Sequence, residues 1–244
     1  MTLRQRQPVV LQPAPAGRHE AKYVVTDEVA NLIRDFAYPW VLPDAHVRGP
    51  RSSYVIRSVY LDSPDYRLYR STIDGLAQRY KLRIRRYAGG SNYFLEVKRK
   101  DRDLILKSRR ELPAKSLAEV VDWLARAPLD DSDFVERTNR IIAQPVLDIA
   151  YERQAFVGAY HLGTRLTFDR DLRYAAVDDL DTPDDDKEWK STGIDGVVVE
   201  LKFFRGMPGW MQEIVRRFGL KRVSFSKYCL SVQARRRESP LPLR

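Results

Sequence analysis

The sequence predicts an α+β domain of about eight mostly antiparallel strands with helices inserted between them. Three observations predict it. Residues 80–87 and 92–100 are two strand-like runs separated by Gly89 and Gly90, a hairpin signature. Both runs alternate charged with apolar positions, and the alternation returns in most other extended runs. Segments of helical periodicity, several with capping residues, fall between those runs. A sheet with one apolar and one charged face either packs helices on the first and wets the second, or closes into a barrel with a charged interior.

Taken in order, residues 1–17, rich in Pro and Gln, form a disordered lead-in. In the first strand Arg18, Glu20 and Lys22 lie opposite His19, Ala21 and Tyr23. Thr26 is placed to cap a helix to about residue 38, with Val29, Ile33 and Phe36 or Ala37 on its apolar stripe, which Pro39 and Pro43 end. Residues 54–61 alternate as a strand, and Asp62, Ser63 and Pro64 open a helix carrying Tyr66 and Tyr69. In the central hairpin Lys81, Arg83 and Arg85 share a face, as do Glu96, Lys98 and Lys100; Leu82, Ile84, Leu95 and Val97 take the other. A third strand over 104–112 puts Lys107 and Arg109 on one side.

Helices are predicted over 116–127, with Leu117, Val120, Val121 and Leu124 inward, and over 133–143. Pro145 restarts an extended run to residue 160 that carries Arg153 and pairs, across a turn near Gly163, with residues 165–173. There Arg165, Thr167 and Asp169 oppose Leu166 and Phe168. Asp178, Asp179, Asp181, Asp184, Asp185 and Asp186 crowd one loop without the spacing or glycine of a calcium loop, so it is expected to be solvated. In the last strand Glu200 and Lys202 oppose Val199, Leu201 and Phe203. A helix over 208–218, closed by Gly219, sets Trp210, Ile214 and Phe218 at core spacing. Residues 224–232 are a short strand or the start of a helix, and Arg235, Arg236 and Arg237 begin a basic tail. The expected organisation is therefore a lead-in of 1–17, one folded domain of 18–232 and a tail of 233–244.

The formal charge of +10 over 244 residues favours anionic partners. No helix-turn-helix or aromatic-studded basic motif is present, which argues against nucleic acid. Cys229, the single cysteine, excludes an internal disulfide and a thiolate metal cluster, and His19, His46 and His161 lack metal-ligand spacing. No apolar run approaches the ~20 residues of a membrane span, and the lead-in lacks the apolar core of a signal peptide, so the cytoplasm is the expected compartment.

The charged faces carry the chemistry. Like charges ~4 Å apart repel by about 1 kcal/mol in water and roughly 4 kcal/mol at an effective dielectric of 20, so gathering them needs a compensating anion. Arg as a bidentate fork and Lys as a point charge suit a chain of phosphates. Glu20, Glu96 and Glu200, set among the cations, fit either a divalent cation bridging phosphate oxygens or plain ion pairs. Phosphoryl transfer asks mainly for positioning and charge neutralisation, which this inventory supplies.

Arg18 with Glu20, Lys22 and Tyr23; Lys81 with Arg83 and Arg85; Glu96 with Lys98; Lys107; Arg153 in YERQAF; Arg165 in RLTFD; Glu200 with Lys202; and Ser226 with Lys227 and Tyr228 together resemble the VTC-type polyphosphate polymerase domain. That domain is one of the CYTH-like triphosphate tunnel metalloenzymes, and the resemblance, to a stand-alone bacterial-type form, spans about residues 18–232. It implies a closed tunnel of eight antiparallel strands with surrounding helices, in which the terminal phosphate of ATP passes to a growing polyphosphate chain. It further implies a manganese or magnesium ion held mainly by Glu200, with Glu20 and Glu96. Lys22, Arg83, Arg85, Lys98, Arg153, Arg165 and Lys227 would be catalytic cations, with Lys81, Lys107, Lys202 and Ser226 binding substrate. Arg18 stands where the hydrolase branches carry the first of two glutamates, which favours the polymerase branch over a triphosphatase or a non-catalytic polyphosphate-binding module. Ser224 stands where the polymerase pattern has a lysine, with Lys221 and Arg222 nearby.

Overall fold

Strands that alternate apolar with charged side chains build a sheet with one face to bury and one to keep polar. A computed structural model describes residues 18–46, 52–87, 92–102, 104–129, 131–177 and 186–238. The expected lead-in of 1–17, the Gly89 and Gly90 turn, the acidic residues 178–185 and the last six residues of the tail lie outside the described residues.

One antiparallel sheet contains β1 (His19–Val25), β2 (Val41–Pro43), β3 (Tyr54–Asp62), β4 (Gln78–Tyr87), β5 (Asn92–Asp101), β6 (Leu104–Pro113), β7 (Gln144–Gly158), β8 (Arg165–Ala176), β9 (Lys190–Ser191) and β10 (Val197–Phe203). The spatial order is β1-β10-β8-β7-β3-β4-β5-β6, with β2 added to β7 and β9 to β8. The central hairpin pairs Lys81 with Lys98 and Arg83 with Glu96. Those residues therefore share a face, as the alternation requires.

The helices are α1 (Asp27–Ala37), α2 (Arg67–Ile73), α3 (Leu117–Arg126), α4 (Asp133–Arg140), α5 (Gly209–Arg217) and α6 (Lys227–Glu238). Thr26 caps α1 as expected and Ser116 caps α3, accepting from the amides of Val29 and Glu119. Ala30, Ile33, Trp210 and Ile214 of α1 and α5 cluster with Tyr23, Phe168, Val199 and Leu201. Val120, Leu124, Phe134 and Val135 of α3 and α4 cluster with Leu82, Ile84, Leu95 and Val97. Each fully buried Leu, Val or Phe side chain contributes about 1.5–3 kcal/mol, so these contacts fix the apolar face against the helices.

The last helix sits on the other face. Tyr228, Cys229 and Val232 of α6 pack with Tyr60, Leu147, Ile149 and Tyr174. By register Tyr60 lies opposite Arg83 and Ile149 opposite Ser58, so α6 covers one end of the charged face. The ambiguous 224–232 segment thus resolves as helix from Lys227, and residues 233–238, expected as basic tail, continue it; Arg235 Nη1 donates to the carbonyl of Val146 at 3.1 Å.

The expected closure of the sheet into a barrel is not made by backbone hydrogen bonds. Among the described residues, β1 and β6, the two ends of the strand order, meet at a single bridge between Arg18 and Ile105, and no ladder of hydrogen bonds joins them. The bridge lies one residue before β1, which from His19 onward pairs with β10. The gap is spanned instead by a side chain: Lys98 Nζ of β5 donates to Glu20 Oε2 of β1 at 2.7 Å.

Candidate active site

Seven strands and one helix place charged groups on the face opposite the two helical layers. Glu20 and Lys22 come from β1, Lys81, Arg83 and Arg85 from β4, Glu96 and Lys98 from β5, and Lys107 and Arg109 from β6. Arg153 comes from β7, Arg165 and Asp169 from β8, Glu200 and Lys202 from β10, and Lys227 from the first residue of α6. Cations clearly outnumber carboxylates. Their arrangement resolves into two clusters around buried anions.

Glu96 is fully buried and surrounded by cations. Arg83 Nε donates to its Oε2 at 2.7 Å and Lys107 Nζ to its Oε1 at 2.5 Å, while Arg109 Nε and Arg85 Nη1 stand at 3.3 and 3.8 Å. Arg83 and Arg85 are held in place by polar neighbours: Arg83 Nη1 donates to Tyr60, and Arg85 to Ser58 and Tyr151, each at 3.2 Å.

Glu200 anchors the second cluster. Lys202 lies 2.7 Å from it, Lys22 3.2 Å, Lys227 3.7 Å and Arg153 3.9 Å. Beside it Asp169 takes a two-pronged bond from Arg153, 2.6 Å at each oxygen, and Lys227 at 2.5 Å. Cross-strand pairing of Lys22 with Glu200 and of Glu20 with Lys202 sets Glu20 diagonally across from Glu200 on the same face.

The electrostatics follow from burial and this imbalance of charge. Burial alone would raise the carboxyl of Glu20, yet Lys98, Lys202 and Lys22 outweigh it and hold the group below its usual range. Glu96 and Glu200 are likewise penalised by burial and held low by their cations. Lysines carry the opposite strain. Burial pulls Lys107 down to about 7 against the attraction of Glu96, and the like charges of Arg83 and Arg85 add to the fall. It pulls Lys202 to about 7 against the attraction of Glu200 and Glu20. Lys81, also brought to about 7 by burial, has no hydrogen bond or ion pair among the described residues. Lys227 moves the other way: burial opposes its charge, but Asp169 and Glu200 prevail.

Most of the residues expected at the site converge here, in roles the strand pattern left open. Glu96 accepts a hydrogen bond at each carboxylate oxygen, from Arg83 and Lys107, with Arg85 and Arg109 close by, which favours its ion-pair reading over a metal-ligand one. Arg165 is committed to Asp44 and reaches the Tyr54 hydroxyl at 3.4 Å, at the edge of the cluster. Ser226 accepts from the amide of Cys229 at 3.3 Å, so its hydroxyl caps α6 while positioning Lys227. Asp169 and Arg109 were legible as strand-face residues but not as site members; Asp169's place opposite Arg153 appears only once β7 and β8 are in register.

Among the described residues no three His, Cys, Asp or Glu side chains form a metal cage. Magnesium-type ions at phosphate sites take one or two carboxylates and complete their shell with phosphate oxygens and water. Glu200 and Glu20 fit that pattern. Glu20 Oε1 and the Thr167 hydroxyl, the latter paired across the strands with Glu200, are buried without hydrogen-bond partners and offer hard oxygens at this spot.

A family model described as the VTC domain matches residues 17–235. No curated protein matches the chain. Among solved structures it is similar to a candidate adenylate cyclase of Bacillus halodurans, at TM-score 0.54 and 14% identity over 86% of this chain and 94% of that one. It is also similar to the PH1819 protein of Pyrococcus horikoshii, at TM-score 0.50 and 15% identity over 88% and 98%. A third is a candidate adenylyl cyclase of Hippeastrum described as having a dominant triphosphatase activity, at TM-score 0.50 and 15% identity over 93% and 98%. At these identities the likeness shows a shared fold, an antiparallel sheet with flanking helices. No helix of the described residues is long and apolar enough to cross a membrane.

Proposed function

The chain belongs to the VTC domain family, and from that premise we propose that it transfers the terminal phosphate of ATP to a growing inorganic polyphosphate chain within a basic tunnel. The observation that carries the reading is the pair of buried anions, Glu96 and Glu200, around which most cations of one sheet face are gathered. Such a face holds more positive charge than its own carboxylates neutralise, and a phosphate chain supplies the difference. The approach of β1 to β6 at Arg18 and the Lys98 to Glu20 bond support a wrapped sheet, with the charged face as its lumen.

In this reading Arg83, Arg85, Lys98 and Lys107 grip phosphates on one wall, and Lys22, Arg153, Lys202 and Lys227 on the other. Arg83 and Arg85 are oriented in advance by Tyr60, Ser58 and Tyr151, so little side-chain entropy is lost when phosphate oxygens replace part of their carboxylate contacts. Lys81, whose ammonium has no hydrogen-bond or ion-pair partner among the described residues, extends the grip toward the α6 end. Glu200 and Glu20 would hold a magnesium or manganese ion, which when bound neutralises charge on bridging phosphate oxygens. The acceptor is itself a phosphate oxygen, so the protein has to align the two phosphates and screen their repulsion, with no nucleophile of its own.

Hydrolysis of triphosphate or polyphosphate in the same tunnel is the second reading, favoured by the fold shared with the Hippeastrum protein. Purified protein incubated with ATP and either metal distinguishes them: ADP with a polymer ladder on a gel is expected, whereas ADP with free phosphate alone would move the assignment to hydrolysis. Tight polyphosphate binding without turnover would leave a binding module.

A further inference from the structure

The end of the charged face away from α6 is built differently from its middle. On β3, Tyr228 of α6 stacks on Tyr60 at 5.0 Å and donates to Asp62 at 2.6 Å. Tyr54 starts the same strand, eight residues from Asp62, or roughly 26 Å at ~3.3 Å per residue. There β3, β4 and β5 present aromatic rings on this face, Tyr54, Tyr87 and Phe94. His46 stacks on Tyr87 at 4.8 Å between centroids and 10° between planes, and lies 5.4 Å from Tyr54. Phe94 meets Tyr87 edge-on at 5.7 Å.

Two arginines tie this rim to the phosphate grips. The Arg109 guanidinium lies 3.6 Å above the Phe94 ring and donates to the Tyr87 hydroxyl at 3.4 Å, while its Nε faces Glu96. Arg165 pairs with Asp44, whose carboxylate accepts from the His46 amide at 2.9 Å, so the turn carrying the imidazole is pinned from across the sheet. His46 itself is exposed. The rim is thus a fixed aromatic platform with cations beside it. On β4, Arg85 and Arg83 follow Tyr87 inward at roughly 7 and 13 Å, on the side that faces the phosphates.

Resting on the phosphate-transfer reading, we propose that the His46 and Tyr87 stack, with Tyr54 and Phe94, receives the base of a nucleoside triphosphate. The nucleotide then enters phosphates first from the end opposite α6, with its base left at the rim. Stacking on an aromatic platform is tolerant of base identity, because every base presents a π-face. The site therefore selects a nucleotide over a bare triphosphate without choosing strictly among bases.

Equilibrium binding of ATP and of inorganic tripolyphosphate to wild type, His46→Ala and Tyr87→Ala tests this. The expected result is a loss of about tenfold in ATP affinity in either variant, with tripolyphosphate affinity unchanged. Unchanged tripolyphosphate binding also certifies that the variants are folded. Equal loss for both ligands, or no loss for ATP in either variant, would overturn the rim assignment and leave the phosphate reading standing. Failure of wild type to bind either ligand would overturn both.

Discussion

Glu200 is the anion that Lys22, Lys202, Lys227 and Arg153 share, so neutralising it tests a position rather than a contact. Glu200→Gln keeps the volume and one oxygen but removes the charge. The four cations then repel more strongly. Lys202, already brought to about 7 by burial, is the one that releases its proton to relieve them. The fold should survive, because Asp169 still neutralises Arg153 and Lys227. Turnover of ATP should be lost while tripolyphosphate binding persists, since a bound phosphate chain draws the proton back onto Lys202 and the other grips keep their charge, while the proposed metal ligand is gone. Wild-type turnover in this variant would remove Glu200 from the reaction.

Among the elements, α6 couples the site to the rest of the fold. Its first residue, Lys227, reaches Asp169, while the next, Tyr228, donates to Asp62, a carboxylate with no exposure that also accepts the amides of Ser63, Leu68 and Tyr69. One carboxylate therefore fixes the start of α2 and the seat of α6. Tyr228→Phe deletes the hydroxyl and leaves one oxygen of Asp62 a donor short, which costs about 1–3 kcal/mol and lowers Tm by several degrees. A Tm equal to wild type would show that α6 is seated by its apolar contacts alone. Sequence patterning made most of these elements legible, because period-two charge alternation and capping residues are local signals. It missed β2 and β9, of three and two residues, which exist only because a long neighbouring strand offers an edge. It left α6 ambiguous for a related reason: the helix meets charge on one side and the Tyr60 cluster on another, so its polar and apolar residues do not sort into a clean stripe. The candidate site was legible as a set of residues on one face. Partner choice was not: whether Glu96 meets four cations and Arg165 meets Asp44 depends on register between strands far apart in sequence.

For the molecule as a whole, a net charge of +10, with cations outnumbering carboxylates on one sheet face, makes pH a test of what the face is for. Lys81, Lys107 and Lys202 each sit at about 7 in the ligand-free fold against an ordinary value of 10.5. Between those two values the folded state binds fewer protons than the unfolded chain, so these groups make the fold more stable as pH rises through that window. Their contribution is full above 10.5 and is lost as pH falls through about 7. A bound phosphate chain reverses the balance by attracting protons back onto the same lysines. Its binding should therefore take up protons, and its affinity should weaken as pH rises above about 7. The stabilisation a ligand gives grows with its affinity for the folded state. Thermal melts from pH 6 to 9 should show tripolyphosphate raising Tm most at the acid end and progressively less toward pH 9. An increment that is flat or grows with pH would mean that these lysines are fully charged before the ligand arrives. The excess charge of the face would then be sustained by the protein alone, and a polyanion would not be needed to account for it.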